Sequence, residues 1–255
     1  MSSKYRFEFT KDNIDLYLKE LAKEYRRQAG RGLHAELILI GGAAVLINYG
    51  FRSMTTDIDA LIQASSAMRD AIHIVGDRFK LPSAWLNADF KSTASYTVKL
   101  IEFSVYYRTY SNVLSIRTIA AEYLIAMKLR SGRQYKSDLS DVLGVLAEHE
   151  KRGVPITMAR IRKAVTDLYG DWDSLPEPSR AFIENVMGDG RFEQLYDQLV
   201  KAEQEIKELL IQFEKEYPGT TKADNVDFIA ENVQKKEDKA SILSQLRKRK
   251  SEPGL

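Results

Sequence analysis

Apolar side chains first recur along the chain at helical spacing. Ile14, Leu18, Leu21 and Tyr25 fall on one stripe and Thr10 stands where a capping hydroxyl belongs, so residues 10–29 are predicted to be helical. The apolar run ELILI (36–40) ends at Gly41-Gly42 and predicts a short buried strand. AAVLINY (43–49) reads as a short helix stopped at Gly50, and TDIDALI (56–62) as a second strand. Residues 65–80 predict a helix capped by Ser65 or Ser66, with Met68, Ile72, Val75 and Phe79 turned inward. SYTVKLIEFSVYY (95–107) and NVLSI (112–116) are β-rich. From Thr118 the period turns helical and stays so, over 118–130, 137–151, 156–168, 177–187 and 191–216, until Pro218-Gly219 breaks the chain.

The pattern predicts an α+β protein: a mixed sheet with helices, followed by a helical C-terminal region. The divisions fall at 1–117 for the α/β core, 118–217 for helices that complete the site and pack on the core, and 218–255 for a tail. Residues 221–255 hold eight Lys or Arg and six Asp or Glu with few large apolar side chains, which suits loosely packed helix or partial disorder.

Composition narrows the chemistry. The chain has 255 residues, 44% of them hydrophobic and 29% charged, enough for one large or two modest cores. A net charge of +2 gives no overall field toward nucleic acid, so any basic footprint is local. The absence of cysteine excludes disulfides, thiolate metal sites and cysteine nucleophiles. His34, His73 and His149 show no metal-ligand spacing. MSSKYRFEFTKDN has no apolar signal core and no run approaches bilayer length, so a cytoplasmic protein without membrane contact is expected.

The informative stretch is GGAAVLINYGFRSMTTDIDAL (41–61). In a strand, Asp57 and Asp59 project from one face while Ile58 and Ala60 enter the core. Two carboxylates that close repel unless one is protonated or a cation joins them. Mg²⁺ characteristically takes one or two carboxylates together with waters and phosphate oxygens. A solvated D-x-D, or one paired with Arg52, is the bland alternative. Gly41-Gly42 follows a strand and opens a helix, where backbone N–H groups can hold phosphate. A phosphate cradle beside a magnesium platform is the layout phosphoryl chemistry needs.

Gly-Gly, a short helix, then R-x-x-T-x-D-I-D resembles the signature of polymerase-β-type nucleotidyltransferases, in particular the branch of AbiEii-type toxins and their uncharacterised prokaryotic relatives. The matching residues are Gly41, Gly42, Arg52, Thr55, Asp57 and Asp59. Many better-studied members carry serine directly after the glycine; Ala43 and Ala44 stand here, which removes one side-chain phosphate contact. A second block, AAEYLIAMKLRSGRQYKSDLSDVLGVL (120–146), resembles the branch's K…R…K/R-D-x-x-D pattern. The resemblance implies that Lys128 contacts nucleotide phosphate and that Asp138 or Asp141 orders the site or activates the acceptor. Arg133 is a candidate phosphate clamp. A third carboxylate, the general base, is sought on a later strand: Glu102, sharing a face with Leu100 and Ser104, or else Asp89. Ordinary surface ion pairs are the alternative for these polar residues, core packing for Trp85 and Trp172 (against base stacking), and plain solvation for RKRK (247–250).

The expectation is therefore a Mg²⁺-dependent enzyme that moves NMP from an NTP to an acceptor hydroxyl. The acceptor would be an RNA or tRNA end or a protein, and the resemblance adds a toxin role with an antitoxin partner. A catalytically degenerate fold that binds RNA or a partner protein is the alternative.

Overall fold

The computed structural model describes residues 7–132, 137–222 and 225–234. The chain opens with helix α1 (Lys11–Ala29), whose N-terminus is closed by a capping box between Thr10 and Asn13. Strand β1 (Ala35–Leu39) leads into α2 (Gly41–Asn48), then β2 (Ile58–Gln63), α3 (Ala67–Phe79) and the two-residue strand β3 (Leu86–Asn87). A hairpin of β4 (Ser104–Tyr110) and β5 (Leu114–Ile119) completes the sheet. Its turn places Ser111 and Asn112 at φ 51° and 58°, the positive pair that matches the twist of adjacent strands. Six helices follow among the described residues: α4 (Ala121–Ser131), α5 (Asp138–Lys151), α6 (Met158–Tyr169), α7 (Glu177–Asp189), α8 (Phe192–Glu216) and α9 (Val226–Gln234). The architecture is α+β, as the hydrophobic pattern predicts.

The five strands are ordered β3-β2-β1-β5-β4. β1 runs antiparallel to β2 and parallel to β5, so the sheet is mixed. One face carries Leu37, Leu39, Ile58, Ala60, Leu114 and Ile116 against α1, α3 and Trp85. The other carries Ile38, Ile40, Leu61 and Ile119 against α4 to α7. Strand alternation thus puts Asp59, between Ala60 and Ile58, on the side of Leu61, where the C-terminal helices pack. Those helices share a core with the sheet rather than forming a separate one. Beyond them, α9 packs on the end of α8 through Phe213 and Ile229.

Several expectations shift. β2 begins at Ile58, so Asp57 lies just before the strand. α2 begins at Gly41, not at 43, and ends at Asn48, with Tyr49 rather than Gly50 at its C-cap. Ser66 occupies the cap of α3 without a side-chain capping bond, while Ser65 Oγ meets the Tyr25 hydroxyl. The run 95–107 is not one strand. Val98–Ile101 coils into a 3₁₀ turn, capped by Thr97, before β4 starts. The strand alternation of Leu100, Glu102 and Ser104 therefore does not exist, because β-rich composition reports a fit to a pleated surface and not the local backbone. Trp85 is core, 1% exposed, with its indole N–H on the Ile72 carbonyl. Half-buried Trp172 packs beside the helical core under Arg162. RKRK (247–250) lies outside the described residues.

The loop between α2 and β2 is pinned to the helical half by Phe51. Its ring stacks on Tyr49, meets Tyr196 of α8 edge-on, and fills the space a side chain at Gly144 would need. A Cβ there would stand 2.5 Å from the ring. Alanine gains up to about 1 kcal/mol of helix propensity over glycine, whereas overpacking costs about 1–3 kcal/mol, so the clash decides. Gly144→Ala is expected to lower the urea midpoint by that net loss. Gly188→Ala in α7, where nothing lies within 4 Å, is expected to raise it.

Candidate functional site

The site is built around the start of α2. Gly41 has φ +54°, a left-handed backbone that favours glycine, and this turn swings the chain from β1 into the helix. No side chain caps α2, a deficit of about 1 kcal/mol. Val45, Leu46 and Ile47 offset it: each is nearly fully buried, worth about 1.5–3 kcal/mol apiece. Leu46 and Ile47 enter one core and Val45 the other, so the helix is wedged between the layers with its first N–H groups unbonded within the helix.

Three side chains converge on this terminus. A Cβ on Gly42 would stand 2.7 Å from Thr55 Oγ1 and 3.0 Å from Arg52 Nη2. A Cβ on Gly41 would stand 3.7 Å from Asp59 Oδ2. Thr55 is 4% exposed, and its hydroxyl makes no hydrogen bond to a described residue. Its backbone is fixed by a two-way bridge to Phe9. Exposure alternates along the acidic segment: Asp57 is exposed, Ile58 buried, Asp59 half-buried, Ala60 buried. Both carboxylates thus stay out of the core, as the alternation in TDIDALI predicts.

Behind the cradle lies a buried chain of charges. Asp141 Oδ2 accepts from Arg52 Nη1 at 2.5 Å and from Lys128 Nζ at 2.6 Å. Lys128 Nζ also donates to Asp138 Oδ1 at 2.7 Å. Lys128, Asp138 and Asp141 are buried, and two positive groups face two negative ones. Burial opposes the ammonium charge of Lys128, but the carboxylates of Asp141 and Asp138 outweigh it and hold its pKa above the ordinary lysine value. The bland expectation for Arg52, a partner for the D-x-D carboxylates, is replaced by this pairing with Asp141.

Of the other expected site residues, Glu102 lies away from the pair and Asp89 near the partner of Asp59. Glu102 is exposed, at the end of a 3₁₀ turn that leads into β4. It stands just before β4, which lies three strand spacings from β2, roughly 14 Å, and not on a strand beside Asp57 and Asp59. Asp89 is exposed and opens a 3₁₀ turn two residues past Asn87, whose Cα pairs with Asp59. Arg133 lies outside the described residues. Among those residues no group of three or more His, Asp or Glu is arranged to hold a metal ion. A pair of carboxylates does suit Mg²⁺ of the kind that keeps its waters and borrows phosphate oxygens, rather than an ion in an all-protein cage.

Glu203 is the residue that the sequence left unmarked. From α8 it accepts the Ser140 hydroxyl at 2.7 Å and the Ser140 backbone N–H at 3.3 Å, so it caps α5 from outside. One glutamate among the many of α8 carries no local signal for this role. Burial raises its pKa, the Ser140 bonds lower it, and the nearby Asp141 and Asp138 raise it again, for a net upward shift.

A family model described as a nucleotidyltransferase of unknown function, DUF6036, matches residues 17–148. The chain belongs to that family. The match runs from α1 through α5 and so takes in every element that frames the cradle and the ion chain. It reaches the broad nucleotidyltransferase level and does not single out the AbiEii branch. Comparisons with curated proteins and with solved structures returned no match. No helix among the described residues is long and apolar enough to cross a membrane.

The raised pKa of Glu203 yields a pH prediction. The folded protein binds this proton more tightly than the unfolded chain does. The resulting stabilisation is full below the unfolded value, near 4.5, and is lost as pH rises through the higher folded value. Wild type should therefore lose stability relative to Glu203→Gln as pH rises from about 4.5 upward, measured by urea unfolding at each pH. A gap that does not change with pH would contradict the shift.

Proposed function

We propose that this protein transfers a nucleotidyl group from an NTP to an acceptor hydroxyl, on an RNA or tRNA end or on a protein. The observation that carries the reading is the convergence at Gly42 of Arg52 Nη2 and Thr55 Oγ1, with Asp59 beside Gly41. A helix N-terminus whose first N–H groups are unbonded within the helix, a guanidinium arm and a hydroxyl that bonds to no described residue make a site for a polyanion. Carboxylates beside it would repel that polyanion unless a cation lay between, which favours a nucleotide delivered with its metal.

In this reading Gly41 and Gly42 let the backbone approach the triphosphate closely. Arg52 and Thr55 orient it, which reduces the entropy lost on reaching the in-line geometry. Asp57 and Asp59 would hold Mg²⁺, which when bound supplies charge neutralisation at the phosphates and at the attacking and leaving oxygens. The acceptor hydroxyl attacks the α-phosphorus, the bond from it to the bridging oxygen breaks, pyrophosphate leaves and the hydroxyl proton passes to water. The finer reading of the family resemblance, a toxin held by an antitoxin, concerns the choice of acceptor and not this site.

A second reading is nucleotide or RNA binding without transfer. It draws on the absence, among the described residues, of a third carboxylate grouped with the pair. The two readings separate in one experiment. Wild type and Asp57→Asn/Asp59→Asn are incubated with each α-labelled NTP, Mg²⁺, and either cellular RNA or a protein lysate. Label from wild type alone is expected, with a double variant that melts within a few degrees of wild type. The labelled fraction identifies the acceptor class. Transfer that survives in the double variant would refute the assignment of the pair, whereas NTP binding without label in either fraction would favour the second reading.

A further inference from the structure

Arg52 is held by two of its three nitrogens. Nε donates to the Met54 carbonyl at 2.9 Å and Nη1 to Asp141 at 2.5 Å. Nη2 has no hydrogen-bond partner among the described residues and lies 3.0 Å from where a Gly42 Cβ would be. The guanidinium plane is therefore fixed, with its one open edge against the start of α2.

Lys128 is in the opposite situation. It is 7% exposed, and its ammonium donates to both Asp138 and Asp141. To reach a ligand at α2 it would break two charge-assisted bonds to buried carboxylates. The family resemblance casts Lys128 as the phosphate-contacting cation; its geometry casts it as the counter-charge of a buried cluster.

We infer that Asp141 is a positioning residue of the nucleotide site: it aims the open edge of Arg52 at the Gly41-Gly42 turn, and Arg52 rather than Lys128 grips the triphosphate. The inference rests on the NTP-binding reading above. It assigns the helical half a specific part in the site. Arg52 belongs to the α2–β2 loop, whereas Asp141 sits on α5 and Lys128 on α4, so the docking of those helices sets the guanidinium. A group preset in this way loses less freedom when the ligand arrives.

The test is binding of ATP, CTP, GTP and UTP, each with MgCl₂, by titration calorimetry, with a melting curve for every variant. Arg52→Ala is expected to weaken binding on the order of ten- to a hundredfold, the range for hydrogen bonds to charged groups. Asp141→Asn should weaken it in the same direction although residue 141 touches no nucleotide. Arg52→Ala/Asp141→Asn keeps Lys128 and Asp138 as a neutral pair and should bind no more weakly than Arg52→Ala alone, since Asp141 acts through Arg52. Lys128→Met/Asp138→Asn removes one charge of each sign and leaves Arg52 on Asp141, so it should weaken binding far less than Arg52→Ala. The inference is overturned if that folded double variant loses as much affinity as Arg52→Ala, if Asp141→Asn binds like wild type, or if the Arg52 and Asp141 losses multiply. Wild type that binds none of the four nucleotides would overturn the NTP reading itself, and the inference with it.

Discussion

One carboxylate oxygen, Oδ2 of Asp141, ties the two halves of the molecule together at the candidate site. It accepts from Arg52 of the α/β layer and from Lys128 of the first C-terminal helix. Removing ionised groups from water costs several kcal/mol each, so such a cluster persists only when its charges balance and its hydrogen bonds are made. Here Lys128 bonds to both Asp138 and Asp141, and Asp141 is shared with Arg52. The cluster stabilises the fold little compared with an apolar core of the same volume. Its consequence is geometric, because α4, α5 and the α2–β2 loop must be docked together for all four charges to be satisfied.

Packing around the cluster follows the same constraint. Phe51 fills the space over Gly144 and touches Tyr196, which brings α5 and α8 against the loop that carries Arg52 and Thr55. Glu203 closes the N-terminus of α5 through Ser140, one residue before Asp141. The helix that supplies the carboxylates is thus held at its start by α8 and along its length by the sheet core. α2 is held differently, by apolar side chains on both flanks, and its glycine terminus stays accessible as a result.

Parts of this arrangement were legible because they have a local cause. Helical stripes such as Ile14–Leu18–Leu21–Tyr25 report which face is buried regardless of what covers it. Gly41-Gly42 was legible because a positive φ and a close approach of other side chains both exclude a Cβ. Asp57 and Asp59 follow from the period of a strand. Lys128, Asp138 and Asp141 were recognisable as a set from their pattern, but the pattern is silent on whether they face a ligand or one another. The strand alternation around Glu102 misled because β-branched and aromatic composition reports a fit to a pleated surface, not the local backbone, which coils into a 3₁₀ turn there.

The sequence by itself determined the α+β class, most of the helices, the strands on either side of Gly41-Gly42 and the two motif blocks, since hydrophobic period and glycine placement act over a few residues. Only the tertiary structure decided who pairs with whom: Arg52 with Asp141 across 89 positions, Ser140 with Glu203 across 63. Charges have long reach and no period. Their partners are settled by which surfaces the apolar core brings together, and by the cost of leaving any of them buried alone.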